Sequence, residues 1–398
     1  MKRGGMGRVG SHTGARVVSI AMVGTRGVPA RYGGFETAVE EVGRRLAARG
    51  HDVTVYCRAG NGEPMTTHLG MRLVTLPALR RRSLETLSHS GLSVMHLLRH
   101  RTDVALVFNA ANAPWLPLLR MARVPVATHV DGLEWKRAKW GRAGKSYYRW
   151  AESASVRWSD ALIADAVGIQ EYYARSFGVP TTLLSYGAPC IDPSRRERLA
   201  ELGLEAGGYH LVVARFEPEN HVDLIVDGFV RSAARRLLVV VGSAPYADQY
   251  TARIRARAGG DPRVRLAGGV WDQELLDQLY AGARTYLHGH SVGGTNPSLL
   301  RAIGAGTATI AYDVSFNREV LRTDGTYFSS ADDVARQVEA SESDDAAVGA
   351  RGDALRVRAR DYDWDDVTDG YERLVRDLAA HAVPRVQPHR RVPAEVTP

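Results

Sequence analysis

VVSIAMVG, at residues 17–24, is an unbroken apolar run of the kind that forms a strand buried on both faces of a sheet. It leads through a glycine-rich loop into FETAVEEVGRRLAAR (35–49), where apolar residues recur at helical spacing and Gly50 provides the stop. A second apolar run, HDVTVYC (51–57), follows directly. The three segments predict a βαβ unit and therefore a parallel sheet with helices on both faces.

The same alternation continues along the chain and begins again after residue 208. Further apolar runs that predict strands are DVALVFN (103–109), VPVATHV (124–130), ALIADA (161–166), YHLVVAR (209–215), RLLVVVG (236–242), VRLAGG (264–269), TYLHG (285–289) and TATIAYD (307–313). Helices are predicted over 221–232 and 247–258, and another is predicted to begin at Pro297. The sequence therefore predicts an α/β protein in which two doubly wound, Rossmann-like domains face each other across a cleft.

The domain boundaries follow from composition. The stretch IDPSRRERLAELGLEAGG (191–208) is polar and ends in paired glycines, so it is predicted to be the linker. A long amphipathic helix at 362–380 is expected to cross back and brace the first domain. The predicted order is a flexible N-terminus at 1–14, a first domain at 15–190, the linker, a second domain at 209–361, the crossover helix and a flexible tail at 381–398.

Length and composition exclude several protein classes. The 398 residues are enough for two domains, and 44% hydrophobic with 24% charged residues is ordinary for a folded protein. No apolar run approaches the roughly 18 residues of a membrane span, and no apolar core follows the basic N-terminus as in a secretory signal. Two distant cysteines, Cys57 and Cys190, cannot build a disulfide framework or a zinc site, which favours a reducing cytoplasm.

The net charge of +8 is unevenly distributed. Residues 17–180 carry 22 basic and 13 acidic side chains, whereas residues 181–380 carry 23 and 30. The basic half suits an anionic surface or a phosphate-bearing substrate, although an arginine-rich overall composition explains the same excess. No nucleic-acid-binding motif accompanies it, so nucleic acid is not an expected partner.

The loop GTRGVPARYGGFE (24–36) joins the first strand to a helix N-terminus. Gly33 and Gly34 allow the backbone to approach a ligand closely, and the helix end favours a phosphate or a carboxylate. The glycine spacing differs from the GxGxxG dinucleotide fingerprint. A simple tight turn is the alternative interpretation.

The loop HGHSVGGTNPSLLRAIGAG (288–306) carries a stronger signal. Gly293 and Gly294 precede Thr295 and Asn296, and Asn296 is predicted to cap a helix that starts at the following proline. Free backbone amides at this helix start would cradle a diphosphate without a metal ion. The alternative is a capped helix with a purely structural role.

Arg215 ends a predicted strand of the second domain, where an arginine can hold phosphate oxygens by paired hydrogen bonds. A surface ion pair with Glu217 or Glu219 is the alternative. His288 and His290 raise the question of a metal site. No third ligand is apparent in the sequence, so polar contacts to a ligand are favoured over metal binding.

The segment HVDGLEWKRAKWGRAGKSYYRW (129–150) interleaves basic and aromatic residues. Such a mixture can grip nucleic acid, a sugar phosphate or the headgroup zone of a membrane. A solvated basic helix with its aromatic rings packed inward is the alternative. Asp131 and Glu134 are the acids of this segment, and a carboxylate at the end of a strand can take the proton of an acceptor hydroxyl.

These stretches together resemble the two-domain, nucleotide-sugar-dependent glycosyltransferases of the GT-B architecture, in particular the retaining family 4 and its bacterial rhamnosyltransferase-like subgroup. The stretches that carry the resemblance are VGTRGVPARYGGFETAVEE (23–41), HVDGLEWKRAKWGR (129–142), IADAVGIQEYY (163–173), ARFEPEN (214–220), APYADQY (244–250), GGVWDQELLDQLYA (268–281), HGHSVGGTNPSLL (288–300) and DVSFNREVL (313–321).

The resemblance implies a hexosyltransferase that retains the configuration of the transferred sugar and builds cell-surface polysaccharide. The donor, dTDP-rhamnose or a UDP-sugar, would bind the second domain, and a glycan or polyprenyl-diphosphate-linked acceptor would bind the first. The resemblance implies no metal and no other cofactor. It also implies a cytoplasmic protein in peripheral contact with the anionic inner face of the plasma membrane.

The resemblance and the residue patterns together assign the site. Asp131 is expected to orient or deprotonate the acceptor hydroxyl, and Arg215 is expected to stabilise the leaving diphosphate. The residues expected to bind the donor are Gly33, Gly34, Arg215, Asn220, His290, Gly293, Gly294, Thr295, Asn296 and Arg301. The residues expected to bind the acceptor are Glu36, Glu134, Trp135, Lys136 and Arg137.

Three positions depart from the pattern of the wider family. Gly293 and Arg301 stand where that family has glutamates, and Asn220 stands where it has a lysine. Glycine and asparagine are usual in the subgroup, but a glutamate is expected at 301 to hold the ribose hydroxyls of the donor. Arg301 could therefore bind phosphate oxygens, indicate a different donor or indicate a weakened enzyme. If the enzyme is weakened, the alternative function is that of a nucleotide-sugar-binding scaffold protein.

Overall fold

The computed structural model describes residues 16–30, 33–60, 65–79, 84–130, 133–137, 140–242 and 248–384. The N-terminus predicted at 1–14 lies outside these ranges, and of the tail predicted at 381–398 only residues 381–384 lie within them. Val383, in those four residues, packs against the core.

The first domain contains a largely parallel sheet. Its strands are β1 (Ser19–Val23), β2 (Asp52–Arg58), β3 (Thr67–His68), β4 (Met71–Leu76), β5 (Val104–Phe108), β6 (Val126–His129), β7 (Ala161–Ala164) and β8 (Thr182–Leu183). Within the described residues their order is β3-β4-β2-β1-β5-β6-β7-β8, and all neighbours are parallel except β3 and β4. The helices of this domain are α1 (Gly34–Ala48), α2 (Glu85–Arg99), α3 (Leu116–Met121), α4 (Arg142–Trp158) and α5 (Val167–Phe177).

Helix α1 shows how apolar spacing in the sequence becomes packing. Its buried residues include Val39, Val42 and Leu46, which recur every three to four positions and therefore share one face of the helix. These three side chains join the same core cluster as β1 and β2. The first βαβ unit thus has the form that the sequence predicts.

The second domain contains a fully parallel sheet. Its strands are β9 (Tyr209–Val213), β10 (Leu237–Val241), β11 (Val264–Gly268), β12 (Thr285–His288), β13 (Thr309–Tyr312) and β14 (Thr326–Phe328). Among the described residues their order is β11-β10-β9-β12-β13-β14. The helices are α6 (Val222–Arg231), α7 (Asp248–Ala258), α8 (Gln273–Gly282), α9 (Pro297–Gly304), α10 (Ser315–Leu321), α11 (Ala331–Ser343) and α12 (Asp345–Arg358).

Each sheet has a point where the direction of strand addition reverses. In the first sheet β2 and β5 lie on opposite sides of β1, and in the second β10 and β12 lie on opposite sides of β9. Loops that leave neighbouring strands at such a point diverge and open a crevice, which is where open α/β sheets bind ligands. The glycine loop after β1, the turn at Arg215 after β9 and the loop after β12 all begin at these points.

The predicted linker at 191–208 is more structured than its polar composition suggests. Residues Glu197–Leu202 form a 3₁₀ helix, in which Leu199 is buried. The backbone amide of Arg198 donates to Gln278 Oε1 on α8 at 2.8 Å. Leu199 and Leu204 of this segment also belong to the hydrophobic core. The segment therefore packs against the second domain.

The last helix, α13 (Trp364–Ala379), lies against the first domain although it follows the second in sequence. Arg45 on α1 pairs with Asp365 at 2.8 Å, and Arg49 pairs with Glu372 at 2.7 Å. These contacts tie the end of the chain to α1. No helix within the described ranges is long and apolar enough to cross a lipid bilayer.

Candidate active site

A deep cleft separates the two domains and is lined by residues from both. Its volume is about 1870 Å³. A pocket for one small ligand usually encloses about 300–1,000 Å³. The cleft therefore has room for two substrates at once, and its lining includes the loops that follow β1, β5, β9 and β12.

The first glycine loop brings the start of α1 to the cleft. Gly33 has a φ of +109°, a conformation that favours glycine, and it precedes α1 without a side-chain cap. A Cβ at Gly34 would lie 3.0 Å from Cγ of Pro297, the first residue of α9. The N-termini of α1 and α9 therefore approach each other across the cleft, and glycine at 34 permits this approach.

Glu36 lines the cleft from the first turn of α1. Its Oε1 accepts a hydrogen bond from the Arg26 amide at 3.1 Å, while Glu40 Oε2 accepts one from the Ala30 amide at 2.8 Å. These two carboxylates hold the loop after β1 in place. Glu36, which the sequence assigns to the acceptor, therefore also anchors the loop backbone.

The loop after β12 has the helix cap that the sequence predicts. Asn296 Oδ1 accepts a hydrogen bond from the Ser298 amide at 2.9 Å, and Pro297 is the first residue of α9. The Leu299 and Leu300 amides donate to the Asn296 carbonyl at 3.0 and 3.1 Å, and Pro297 has no amide hydrogen. The free amides that the sequence predicts are therefore not found in the first turn of α9, and this helix start offers an anionic ligand the positive end of its dipole.

The glycines of the same loop allow contact with the first domain. Gly293 has a φ of +135°, which favours glycine. Gly294 lies against Asp165, so that a Cβ at 294 would overlap the carboxylate. Thr295 Oγ1 donates to the Asp165 carbonyl at 2.8 Å. Thr295, which the sequence assigns to the donor, therefore bonds the opposite domain through its hydroxyl.

Arg215 and Asn220 shape the turn after β9. Asn220 Nδ2 donates to the Arg215 carbonyl at 2.7 Å, and Asn220 Oδ1 lies 2.8 Å from His290 Nδ1. The Arg215 guanidinium lies 3.6 Å from Glu217, and 37% of the side chain is exposed. Arg215 is thus an accessible cation at the cleft, whereas Asn220 holds the turn and the neighbouring ring.

His288 and His290 line the cleft as neutral rings. Both are buried, and burial lowers the pKa of His288 to about 3 and the pKa of His290 well below its ordinary value. Neither ring therefore brings a positive charge to a phosphate at neutral pH. Across the described residues, no group of three or more histidine, cysteine, aspartate or glutamate side chains could hold a metal ion.

Arg137 is engaged by carboxylates from both domains. Its guanidinium lies 2.5 Å from Glu134, 3.3 Å from Glu219 and 3.8 Å from Glu217, and the residue is 8% exposed. Glu217 and Glu219 belong to the second domain. Arg137, which the sequence assigns to the acceptor, therefore links the two domains in this structure.

The other acceptor residues of this segment separate into two groups. Glu134 lines the cleft, but neither Trp135 nor Lys136 is part of its lining. Arg149 of α4 packs over the Trp135 ring, 4.4 Å from the ring centroid, and Lys136 is exposed. Asp131, the expected base, lies outside the described residues.

Arg301 lines the cleft from α9 and is paired with Asp277 of α8. Burial raises the pKa of the Asp277 carboxyl, although the neighbouring guanidinium acts in the opposite direction. The arginine that departs from the family pattern therefore has a partner within the second domain, and the pair is balanced in charge.

Asp165 is a cleft residue that the sequence analysis missed. It directly follows β7, lines the cleft and is 3% exposed, and burial raises its pKa to about 7. Its Oδ1 has no hydrogen-bond partner among the described residues. The signal lies in ALIADA (161–166), because an acid at the carboxyl end of a parallel strand faces the ligand-binding edge of the sheet.

Both halves of the chain match family models of glycosyltransferases. Residues 33–187 match the model described as a glycosyl transferase 4-like domain, and residues 195–352 match the model described as glycosyl transferases group 1. The chain is also 30% identical over 121 residues to the GtfA subunit of a UDP-N-acetylglucosamine–peptide N-acetylglucosaminyltransferase from Streptococcus gordonii. That match covers 29% of this chain and 23% of the relative.

Solved structures share the two-domain architecture. Sucrose-phosphate synthase from Thermosynechococcus elongatus has a TM-score of 0.79 at 20% identity, over 92% of this chain and 100% of that one. Anabaena HepE in complex with UDP and glucose has a TM-score of 0.75 at 14% identity, over 91% and 100%. An α,α-trehalose-phosphate synthase (UDP-forming) from Burkholderia xenovorans, in complex with glucose-6-phosphate, has 0.70 at 12%, over 90% and 100%. This likeness confirms the predicted fold, two doubly wound domains in the GT-B arrangement.

Proposed function

We propose that this chain, a glycosyltransferase of the GT-B fold, transfers a hexose from a nucleoside diphosphate to an acceptor hydroxyl with retention of configuration. The transferred sugar is rhamnose or another hexose. The acceptor is a glycan or a polyprenyl-diphosphate-linked sugar of a cell-surface polysaccharide. The sugar and the acceptor in this proposal come from the sequence resemblance, and the chemistry comes from the cleft.

The observation that carries the proposal is the approach of two helix N-termini across the cleft, at Gly34 and Pro297. Each helix end is equivalent to about half a positive charge, so the pair suits a diphosphate without a metal ion. Arg215 lines the same cleft, and its guanidinium would hold phosphate oxygens by paired hydrogen bonds. These groups would stabilise the charge that builds on the leaving diphosphate as the glycosidic bond breaks.

A nucleotide-sugar donor is also supported by proteins of the same fold. HepE has been solved with UDP and with UDP-glucose. We place the donor diphosphate of this chain in the cleft beside the N-termini of α1 and α9, which are themselves in close contact. The donors of the proposal are dTDP-rhamnose and UDP-sugars, and no metal or other cofactor takes part in it.

The acceptor would occupy the first-domain half of the cleft. Arg58, at the end of β2, lines the cleft and is buried, and it lies 3.4 Å from Glu85. Its backbone amide donates to the Arg26 carbonyl at 2.9 Å, so two arginines are adjacent at this end of the cleft. This arrangement supports a phosphate-bearing acceptor. Asp131 would orient or deprotonate the acceptor hydroxyl, a role that rests on the sequence.

The outer face of α4 supports a peripheral contact with an anionic membrane. The exposed basic residues of this helix are Arg142, Lys145, Arg149 and Arg157. Trp150 is exposed beside them, and Glu152, the acid of this helix, is buried and accepts a hydrogen bond from Tyr172 at 3.0 Å. A helix face of cations and an exposed tryptophan suits the headgroup zone of anionic lipid. The first turns of the same helix line the acceptor half of the cleft.

Saturation-transfer NMR tests the proposal with dTDP-rhamnose, UDP-glucose, UDP-N-acetylglucosamine and GDP-mannose. One donor is expected to bind selectively and to be hydrolysed slowly, because water takes the place of the acceptor. Arg215→Ala is expected to weaken that binding. Arg231→Ala, which changes an exposed arginine of α6 outside the lining of the cleft, is the matched control. If the folded protein binds none of the four donors, the proposal is contradicted.

A second candidate function is a nucleotide-sugar-binding scaffold protein of a polysaccharide assembly complex. It is favoured by Arg301, whose pairing with Asp277 places a cation where the family pattern has an acid. In the scaffold account the wild type binds a donor without turnover, and Arg301→Glu creates turnover. In the transferase account the wild type already hydrolyses the donor, and Arg301→Glu puts two carboxylates side by side and destabilises the second domain.

A further inference from the structure

Two buried histidines, His288 and His290, line the second-domain side of the cleft. A neutral imidazole has one nitrogen that donates a hydrogen bond and one that accepts, and the partner of one nitrogen determines the role of the other. The Nδ1 atom of each ring lies at the end of a series of hydrogen bonds. The donor and acceptor of each bond in the series can be assigned by starting from a backbone group whose role is known.

The chain behind His288 begins at the cap of α9. The Ser298 amide donates to Asn296 Oδ1, which identifies that atom as an acceptor, so the Ser298 hydroxyl, 2.7 Å away, donates to it as well. The Tyr286 hydroxyl lies 3.0 Å from Ser298 Oγ, whose own proton is engaged with Asn296, and 3.3 Å from the Val213 carbonyl, so its proton is assigned to these acceptors. His288 Nδ1 lies 3.1 Å from the same hydroxyl and is therefore the donor. This network assigns the proton of His288 to Nδ1 and the lone pair to Nε2.

The chain behind His290 is shorter. Asn220 Nδ2 donates to the Arg215 carbonyl at 2.7 Å, and a carbonyl can only accept, so the orientation of the amide is fixed. Asn220 Oδ1 then faces His290 Nδ1 at 2.8 Å and requires a donor there. His290 likewise carries its proton on Nδ1 and its lone pair on Nε2.

We infer that His288 and His290 act as hydrogen-bond acceptors through Nε2 and bind hydroxyl groups of the nucleotide-sugar donor. The inference rests on the proposed function and adds the kind of donor group that these rings recognise. A lone pair cannot hydrogen-bond an ionised phosphate oxygen, which also offers only lone pairs. The two rings therefore select hydroxyl groups and leave the diphosphate to the helix N-termini and Arg215.

The surroundings of the two Nε2 atoms agree with this role. His288 Nε2 is buried, and no donor among the described residues reaches it. A Cβ at Gly293 would lie 3.2 Å from His290 Nε2, so glycine at this position keeps a side chain off that atom. The stretch 288–300 contains no aspartate or glutamate, so no carboxylate within it competes for the same hydroxyls.

Nitrogen-15 NMR of the histidine side chains tests the tautomers directly in the full chain. The Nδ1–H form is expected for both rings between about pH 6 and 8, because both rings are neutral there. The signals are assigned by their loss in His288→Phe and His290→Phe. Addition of UDP-glucose is expected to shift the Nε2 signals as the lone pairs become engaged. An Nε2–H tautomer at both rings would overturn the inference.

Binding of UDP-glucose and of UDP identifies the hydroxyl. Loss of one neutral hydrogen bond is expected to weaken UDP-glucose binding about five- to tenfold in each phenylalanine variant. If UDP binds the variants as it binds the wild type, the hydroxyl belongs to the sugar, whereas equal weakening of both ligands assigns it to the ribose. His288→Gln, whose amide oxygen can act as an acceptor near the Nε2 position, is expected to recover part of the affinity.

His210 provides the matched control. It is a buried histidine of the same domain, its Nδ1 lies 2.7 Å from Thr285 Oγ1, and it is outside the lining of the cleft. His210→Phe is expected to leave UDP-glucose affinity unchanged. Wild-type affinity in folded His288→Phe and His290→Phe would overturn the inference but leave the proposed function standing. Failure of the wild type to bind any nucleotide-sugar would contradict the proposed function itself, while the tautomers would still be measurable.

Discussion

Replacement of Asp165 by asparagine is expected to remove a large pH dependence from the stability of the protein. Asp165 lies at the contact between the domains, where burial first and the negative charge of Glu319 second raise its pKa to about 7 from an ordinary 3.8. The Tyr371 hydroxyl is a further titratable group that interacts with it. Asp165→Asn keeps the shape of the side chain and abolishes its titration.

The magnitude follows from the gap between the two pKa values. In the unfolded chain the carboxyl ionises above about pH 4, whereas in the folded protein it keeps its proton to about pH 7. The unfolded state binds fewer protons across this window, so stability falls as the pH rises through it and levels off above the folded pKa. A gap of about three units corresponds to about 4 kcal/mol in total, of which about 2–3 kcal/mol falls between pH 5 and 8.

Urea unfolding of the wild type and of Asp165→Asn at about pH 5 and about pH 8 measures this difference. The wild type is expected to lose about 2–3 kcal/mol relative to the variant between the two conditions. Asp160→Asn, which changes the acid that immediately precedes β7, is the matched control for the loss of a carboxylate from this part of the chain. The same pH dependence in the wild type and in Asp165→Asn would refute the reasoning.

Three further perturbations probe the contacts of the cleft and of α4. In Gly294→Ala the new methyl group would overlap the Asp165 carboxylate, so the rate of donor hydrolysis is expected to fall about a hundredfold. The second substitution Asp165→Gly in the same chain removes the overlap and is expected to restore part of that rate. Arg137→Ala and Glu219→Gln remove the two sides of a buried ion pair. A double-mutant cycle of unfolding free energies is expected to give a coupling energy of about 1–3 kcal/mol between them. Additive effects of the two substitutions would argue against the pairing. Arg157→Glu is expected to weaken co-sedimentation with phosphatidylglycerol vesicles by about 1 kcal/mol or more, and unchanged binding would count against the membrane contact.

Most of the fold could be predicted because the central strands are continuous apolar runs. β1, β9 and β10 lie within predicted stretches, since a strand buried on both faces admits few polar residues. β4 was not predicted. Its buried Met71 and Leu73 are separated by the exposed Arg72, and it lies near the edge of the sheet beside the two-residue β3. This alternation is the pattern of a half-buried strand, and it was missed because the sequence analysis relied on continuous apolar runs.

The glycine loops could be placed from the sequence because a strand, paired glycines and a helix start lie in one continuous stretch. Contacts across the cleft could not be predicted in this way. Arg137 meets Glu219, 82 positions along the chain, and Thr295 meets Asp165, 130 positions away. Sequence spacing carries no information about pairs that meet only when two domains close on each other. The roles of Arg137 and Asp165 therefore become visible only in the folded protein.

In the proposed reaction, the two helix N-termini and Arg215 stabilise the diphosphate that leaves the nucleotide-sugar. Phosphorus-31 NMR of the wild type and of Arg215→Ala, each incubated with the donor that the panel selects, measures release of the nucleoside diphosphate. We expect release by the wild type and a decrease of about a hundredfold in the variant, because one preorganised donor to the developing charge is lost. Equal rates for the two proteins, or folded wild type that releases no diphosphate from any donor of the panel, would contradict it.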